Sequence, residues 1–267
     1  MFHLGPINVY TFGFTLSLGF LTATFIAAGE ARRRGLSDEE LVNAALLIMA
    51  AGLIAARLIY VWANWEYFAE DASEIWHLAS GGLSFHGGLL GGLAAALIFA
   101  RLRGWSFPDL ADCAALGLSL GYALARVGCH VPGRPTAMPW GVAVNGMKVH
   151  PQGVYAVMAS YAIFVFLWKL RLQTKFRGQL FVVWSLAYGV SRFFIEYFRY
   201  GRLWGPFTLT QWGSLAMIAI GAYLCRRWEG EPPPYPRPRS VSFTRQEALR
   251  WLLGLAVLIW FYYAWRG

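Results

Sequence analysis

Residues 41–63 read LVNAALLIMAAGLIAARLIYVWA, an apolar run that carries a single charged residue, Arg57. About 20 consecutive apolar residues are needed to cross the hydrocarbon core of a bilayer, so this run predicts a membrane-spanning helix. A charge inside such a helix costs about 2.5 kcal/mol or more unless it is paired or functional. Arg126 and Arg192 lie in similar runs, so three arginines in this chain require an explanation.

The composition of the whole chain indicates an integral membrane protein. Of its 267 residues, 57% are hydrophobic and 14% are charged, and the mean hydropathy is +0.44. These values are too apolar for a soluble protein of this length. The net charge of +9 would suggest nucleic-acid binding in a soluble domain, but most basic residues lie in short loops, where they set topology. We therefore expect no nucleic-acid partner.

The apolar runs predict an all-α fold, a polytopic bundle of seven spanning helices. The runs lie at about residues 9–28, 41–63, 85–102, 109–126, 151–169, 179–198 and 208–225, and another at 249–265 predicts an additional C-terminal helix. Basic residues cluster after the first, third, fifth and seventh runs, whereas the loop at 64–84 carries four acidic residues and no basic one. By the positive-inside rule the N-terminus is extracytoplasmic.

Three regions are predicted along the chain. Residues 1–228 form the seven-span membrane domain, residues 229–248 form a proline-rich linker and residues 249–267 form the additional hydrophobic helix. Five prolines between residues 231 and 239 favour a stiff polyproline conformation for the linker. The last helix carries no pattern that points to catalysis.

Helix rise predicts a common depth for several polar residues. Arg126 ends the fourth span, and Arg192 lies about 13 residues into the outward-running sixth span, or about 20 Å at 1.5 Å per residue. His86 opens the inward-running third span at the same surface, and Arg57 lies comparably deep in the second. All four are therefore expected in the outer half of the membrane.

A polar stripe is predicted on the sixth span. Tyr188, Arg192, Glu196 and Arg199 follow one another at i, i+4, i+8 and i+11, which places them on one helix face. Two interpretations stay open: this face belongs to a site, or Arg192 and Glu196 neutralise each other while Arg199 extends to the surface. The number of polar groups at this depth on different helices favours a site.

A glycine-rich segment at residues 81–92 reads GGLSFHGGLLGG. Its small-xxx-small spacing is typical of close helix packing. His86 stands within it, and a histidine at an interface can take a proton from a nucleophile near neutral pH. A structural histidine is the alternative interpretation.

An irregular outer loop is predicted at residues 126–136, which read RVGCHVPGRPT, with PWGV at 139–142, HPQ at 150–152 and Tyr155 beyond. Cys129 beside His130 could indicate a thiol nucleophile or part of a metal site. Adjacent residues rarely face one substrate and no further ligands accompany them, so we expect neither. Arginine holds phosphate through its planar, permanently charged fork, so Arg126 and Arg192 predict a site for an anionic phospholipid headgroup.

At these residues the chain resembles the bacterial prolipoprotein diacylglyceryl transferase family. The resemblance covers residues 5–227 and leaves out the linker and the last helix. Its most specific segments are, in order, FHGG at 85–88, RVG at 126–128, GRPT at 133–136, PWG at 139–141, HPQ at 150–152 with Tyr155, and the stripe from Tyr188 through Arg192 to Glu196 and Arg199.

The resemblance implies transfer of the diacylglyceryl group from phosphatidylglycerol to the lipobox cysteine in the signal peptide of a prolipoprotein, forming a thioether and releasing glycerol phosphate. It implies a multi-pass protein of the bacterial cytoplasmic (inner) membrane, without a metal or soluble cofactor. Arg126 would bind the phosphate of phosphatidylglycerol, Arg192 would stabilise charge on the departing phosphate, and His86 would orient or deprotonate the thiol. The supporting residues would be Tyr188, Glu196, Gln152, Tyr155 and Gly133.

The chain departs from the family pattern near this site. Gly-Cys-His at 128–130 stands where Gly-Asn-Phe is common, the segment up to Gly133 is about four residues shorter and lacks an acidic residue, and Phe12 replaces a tyrosine. Two alternatives follow: a non-catalytic phospholipid-binding membrane protein that acts as a sensor or scaffold, or a paralogue with another acceptor. A transporter fits less well, because its ionisable residues should gather near the midplane.

Overall fold

The structure is a computed structural model that describes residues 2–4, 7–9, 11–76, 82–129, 131, 133–232 and 245–264. Within these residues the α-helices are α1 (Thr11–Arg33), α2 (Asp38–Ala63), α3 (Trp65–Glu70), α4 (Phe85–Leu102), α5 (Phe107–Val127), α6 (Gln152–Leu170), α7 (Gln179–Ile195), α8 (Leu209–Trp228) and α9 (Arg245–Ala264). The described antiparallel hairpins pair β1 (Phe2–Leu4) with β2 (Ile7–Val9), β3 (Val142–Val144) with β4 (Met147–Val149), and β5 (Leu203–Trp204) with β6 (Phe207–Thr208). Short 3₁₀ turns lie at Ala72–Trp76 and Glu196–Phe198.

The helices have the length and surface of a membrane protein. Over the described residues, α1, α2, α5, α6 and α9 are each long and apolar enough to cross a membrane, and α4 is a shorter apolar helix. Large apolar side chains such as Phe25 and Leu58 are exposed on the helix faces, which suits contact with lipid acyl chains. The prediction of an all-α membrane protein is confirmed. The seven-span count and the extracytoplasmic N-terminus stay predictions.

Glycines bring two helix pairs into backbone contact. A Cβ built on Gly121 of α5 would lie 2.6 Å from the Gly19 carbonyl oxygen of α1, so only glycine allows this approach. The predicted small-residue stripe of α4 behaves in the same way, since a Cβ on Gly87 would lie 2.8 Å from the Ala56 Cα of α2. These contacts fix α5 against α1 and α4 against α2.

Buried charges join the end of α1 to the beginnings of α5 and α7. The Asp112 carboxylate accepts the backbone N–H groups of Gly178 and Phe181, each at 2.9 Å, and thereby caps the first turn of α7. Arg34 pairs with Asp112 at 3.0 Å and with Glu30 at 2.9 Å. Because each partner is buried, loss of one would leave an uncompensated charge, so this network holds the three helices in one register.

Helix α7 ends before the predicted span does. The helix ends at Ile195 and continues as the 3₁₀ turn Glu196–Phe198, whereas the prediction extended the helix to residue 198. The Phe198 carbonyl instead accepts the backbone N–H of Arg134 at 2.8 Å. The segment at Arg134 is therefore hydrogen-bonded to the turn that follows α7. Most of the predicted linker at 229–248 lies outside the described residues.

Candidate active site

Arg126 and Arg192 lie on helices that share one anchor. Asp112 of α5 binds the backbone at Gly178, where α7 begins. Arg126 follows Asp112 by 14 residues and Arg192 follows Gly178 by 14 residues, about 21 Å along each helix at 1.5 Å per residue. Both helices run in the same direction from this anchor, so the two arginines lie at the same distance from it along their helices.

Two tyrosines connect these arginines. The rings of Tyr122 on α5 and Tyr188 on α7 meet edge to face with their centroids 5.4 Å apart, and the Arg126 guanidinium lies 5.8 Å from the centroid of Tyr122. Tyr188 precedes Arg192 by four residues, so these two side chains lie on one face of α7. The predicted arginines therefore surround one pair of phenols.

Several buried polar atoms at this end of the bundle have no hydrogen-bond partner among the described residues. They are Nε of Arg126, Nη1 of Arg192, and both Oε1 and Nε2 of Gln152. Gln152 opens α6 and is 1% exposed. Buried polar groups are nearly always hydrogen-bonded, so these donors and acceptors are available to a ligand. Similar atoms lie at the opposite end of the bundle, on Thr174 and Arg177, so the feature supports a site here only together with the two arginines.

Glu196 is shared by two arginines. Its Oε2 lies 2.8 Å from Nη2 of Arg192 and 3.9 Å from Nη1 of Arg199, and its Oε1 accepts from the Thr208 hydroxyl at 3.4 Å. The predicted intrahelical pair between Arg192 and Glu196 thus forms. One carboxylate cannot neutralise two guanidinium groups, so a net positive charge stays beside the phenols.

Cys129 contacts Arg126, which lies three residues earlier in the chain, in the last turn of α5. Nη1 of Arg126 lies 3.0 Å from the Cys129 sulfur, which is buried. The thiol therefore serves as a weak hydrogen-bond acceptor that orients Arg126. His130 lies outside the described residues. Among the residues that are described, no group of three or more His, Cys, Asp or Glu side chains is arranged to hold a metal ion.

Gly133 lies where the outer loop crosses two other segments. A Cβ there would collide with the His150 carbonyl oxygen and lie 3.0 Å from that of Phe198, so a side chain is excluded. Nδ1 of His150 lies 2.9 Å from the Tyr155 hydroxyl, which also accepts from Trp140 Nε1 at 3.0 Å. The Tyr155 ring also packs on Phe198 with the centroids 5.1 Å apart, so Tyr155 joins the loop to the turn that follows α7.

His86 and Arg57 belong to the α2–α4 pair. His86 is exposed in the first turn of α4, after the N-cap Ser84. Arg57 donates from Nε to the Ile75 carbonyl at 2.9 Å and from Nη1 to the Gly82 carbonyl at 3.0 Å. Its charge thus binds the backbone of the outer loop between α2 and α4, which explains its position without a ligand.

Tyr122 was missed by reasoning from the sequence. It precedes Arg126 by four residues, so the two side chains lie on one face of α5. The same spacing identified the stripe on the sixth span from Tyr188 to Glu196, and a search of the fourth span for it would have found Tyr122.

Comparison with known proteins places this chain in a family. The family model described as prolipoprotein diacylglyceryl transferase matches residues 1–227. The chain belongs to this transferase family. Among curated relatives, the phosphatidylglycerol–prolipoprotein diacylglyceryl transferase of Clostridioides difficile (strain 630) is 36% identical over 225 residues, covering 82% of this chain and 91% of the relative. The enzyme of that name from Geobacillus kaustophilus (strain HTA426) is 34% identical over 249 residues, covering 85% and 92%.

The transferase family model includes the helices that carry Arg126, Gln152 and Arg192. It ends one residue before the last residue of α8, Trp228, so α9 lies outside the matched region. The resemblance seen in the sequence motifs is confirmed at the level of the family. The roles of individual residues stay proposals.

Proposed function

We propose that this transferase moves the diacylglyceryl group of phosphatidylglycerol to the lipobox cysteine of a translocated prolipoprotein, at the outer leaflet of the bacterial cytoplasmic membrane. The curated relatives are named for phosphatidylglycerol and prolipoprotein. The main structural support is that Arg126 and Arg192 each have a buried N–H group without a partner among the described residues, and that the helices carrying them meet through the rings of Tyr122 and Tyr188.

The reaction proposed is a substitution at carbon. The cysteine sulfur, as thiolate, attacks the glycerol carbon that carries the phosphate ester. A C–S bond forms, the C–O bond to phosphate breaks, and glycerol phosphate leaves with the bonding electrons. Negative charge moves from the sulfur to the departing phosphate, so the barrier falls where fixed positive charge faces that phosphate.

The proposed roles follow from the chemistry of each group. Arg126 holds the phosphate of phosphatidylglycerol through Nε, while Cys129 orients its Nη1. Arg192 directs Nη1 to the departing phosphate, while Glu196 fixes its Nη2 at 2.8 Å. The buried amide of Gln152 supplies a further donor and acceptor. His86, at the start of α4, takes the thiol proton.

Tyr188, Tyr155 and Gly133 are proposed as supporting residues. Tyr188 lies within reach of both arginine charges, whereas Tyr155 and Gly133 shape the loop above α6. We further propose that residues 1–228 carry the reaction with seven spans and an extracytoplasmic N-terminus. This topology would bring the two arginines and His86 to the leaflet where the signal peptide emerges.

Complementation tests this proposal directly. The wild-type chain, expressed in a strain depleted of its own diacylglyceryl transferase, is expected to restore growth and lipoprotein modification. Release of labelled glycerol phosphate from phosphatidylglycerol by purified protein and a lipobox peptide provides the matching assay in vitro. A chain that inserts well, yet restores no modification and releases no glycerol phosphate, would contradict the proposal.

The replaced loop residues favour one second candidate. Cys129 places a weak acceptor against Arg126 where the family commonly offers an amide, so a phospholipid-binding protein without transfer activity is the alternative. Phosphatidylglycerol bound tightly without peptide modification would support this candidate.

A further inference from the structure

Helix α9 crosses the bundle along α6. Near the inner end of α6, Glu247 lies 4.0 Å from Lys169, and Trp251 packs on Phe164 with ring centroids 5.7 Å apart. At the outer end Tyr262 reaches Gly153. The two helices are therefore antiparallel, and α9 ends beside the candidate site.

Tyr262 is the buried side chain of α9. Most of the helix surface is exposed, whereas Tyr262 is 3% exposed and packs with Val127, Val154 and Val157. Its ring occupies the space where a Cβ on Gly153 would stand, and the Arg126 carbonyl oxygen lies 3.0 Å from that same position. The ring therefore contacts the first turn of α6 at the point where the backbone of the last turn of α5 is also close.

The contact at Gly153 lies next to a residue of the candidate site. Gly153 directly follows Gln152, whose buried amide has no partner among the described residues. The Tyr262 ring thus limits how the first turn of α6 can move relative to the last turn of α5. Gln152 and Arg126 are the residues carried by those two turns.

The neighbouring Tyr263 holds the outer loop. Its hydroxyl donates to the Trp140 carbonyl at 2.8 Å, and the indole of Trp140 donates to the Tyr155 hydroxyl at 3.0 Å. Tyr155 in turn lies 2.9 Å from Nδ1 of His150. A chain of hydrogen bonds therefore links α9 to the loop segment on which Gly133 rests.

We infer that α9, which lies outside the part of the chain matched by the family model, is a positioning element of the transfer site. Tyr262 holds Gln152 and Arg126 in register, and Tyr263 holds the loop above them. Small displacements of reacting groups lower catalytic rates steeply, so these side chains should influence turnover although they contact no reacting atom. The inference rests on the proposed transfer reaction.

Steady-state kinetics of full-length variants test this role. In Tyr262→Ala the ring support is lost, and kcat for transfer is expected to fall by about tenfold to a hundredfold, since a misplacement of about 1 Å can cost as much. Tyr262→Phe keeps the ring and should retain near wild-type kcat. Leu253→Ala, on the exposed face of α9, is the matched control and should leave kcat and KM unchanged.

Normalising each rate to the folded fraction separates positioning from stability. A purely structural role predicts a lower thermal midpoint for Tyr262→Ala with unchanged kcat per folded molecule, and that outcome would overturn the inference. If the wild-type chain performs no transfer, the proposed function fails. The inference is then decided by phosphatidylglycerol binding in native mass spectrometry, where Tyr262→Ala must bind more weakly than Leu253→Ala or the inference fails as well.

Discussion

Replacing Arg192 with lysine is expected to lower kcat/KM for diacylglyceryl transfer by about tenfold to a hundredfold. The two terminal nitrogens of the guanidinium have different surroundings: Nη2 binds Glu196 at 2.8 Å, whereas Nη1 is buried without a partner among the described residues. The single ammonium group of lysine cannot bind Glu196 and the phosphate in the way that the two guanidinium nitrogens can. One charge-assisted hydrogen bond to the phosphate is lost, about 1.5–3 kcal/mol, and each 1.36 kcal/mol corresponds to about tenfold in rate.

The assay uses purified protein in detergent with phosphatidylglycerol and a lipobox peptide, and determines kcat and KM separately. Arg192→Ala removes the charge altogether and is expected to reduce transfer below detection, as is Arg126→Ala. Arg134 provides the matched control, because it is exposed and its Nε donates to the Arg199 carbonyl at 3.1 Å. Arg134→Lys should change kcat/KM by less than about threefold, within the small range typical of exposed pairs.

Two outcomes would refute this reasoning. Arg192→Lys could match wild-type kcat/KM, which would mean that the second nitrogen direction contributes nothing. Alternatively, Arg134→Ala could lose as much as Arg126→Ala and Arg192→Ala, which would mean that the assay responds to positive charge in general.

Three further substitutions test the surrounding structure. Arg57→Ala leaves loop carbonyls without their donor and should lower the free energy of unfolding by about 2 kcal/mol or more, observed as a lower thermal midpoint that Arg57→Lys partly restores. Asp112→Asn breaks the buried network at the inner ends of the helices and should cost about 3–5 kcal/mol, with a chemical denaturation series as the measurement. Cys129→Ser keeps a hydrogen-bond acceptor for Arg126 and should retain transfer within about tenfold; complete loss in the peptide assay would instead point to a nucleophilic thiol.

Much of the helical architecture could be predicted because apolar length and glycine spacing are local signals. The α2 and α4 runs and the close packing of the α4 glycines follow directly from the sequence, whereas the partner of Gly87, the backbone of α2 at Ala56, is seen only in the structure. Helix α9 begins at Arg245, close to the predicted start at residue 249. What could not be predicted is where α9 docks, because an apolar helix face fits many neighbours equally well.

The arginines also show which features can be predicted from the sequence and which cannot. Helix rise predicts one depth for Arg126 and Arg192, and the anchor at Asp112 agrees with that prediction, since each arginine lies 14 residues beyond it on its own helix. The same calculation grouped Arg57 with them, but its guanidinium binds loop carbonyls at Ile75 and Gly82. Depth along a helix can be counted from the sequence, whereas the direction of a side chain depends on neighbours that are distant in the chain.

The common anchor at Asp112 restricts which changes of length this protein can tolerate. Inserting one residue between Asp112 and Arg126 would turn the arginine by about 100° and raise it by about 1.5 Å, which would change the direction of its guanidinium. The loop at residues 128–133 lies beyond both counted segments, so its length can vary without altering the spacing of the charges. A shortened loop is therefore compatible with an unchanged pair of arginines.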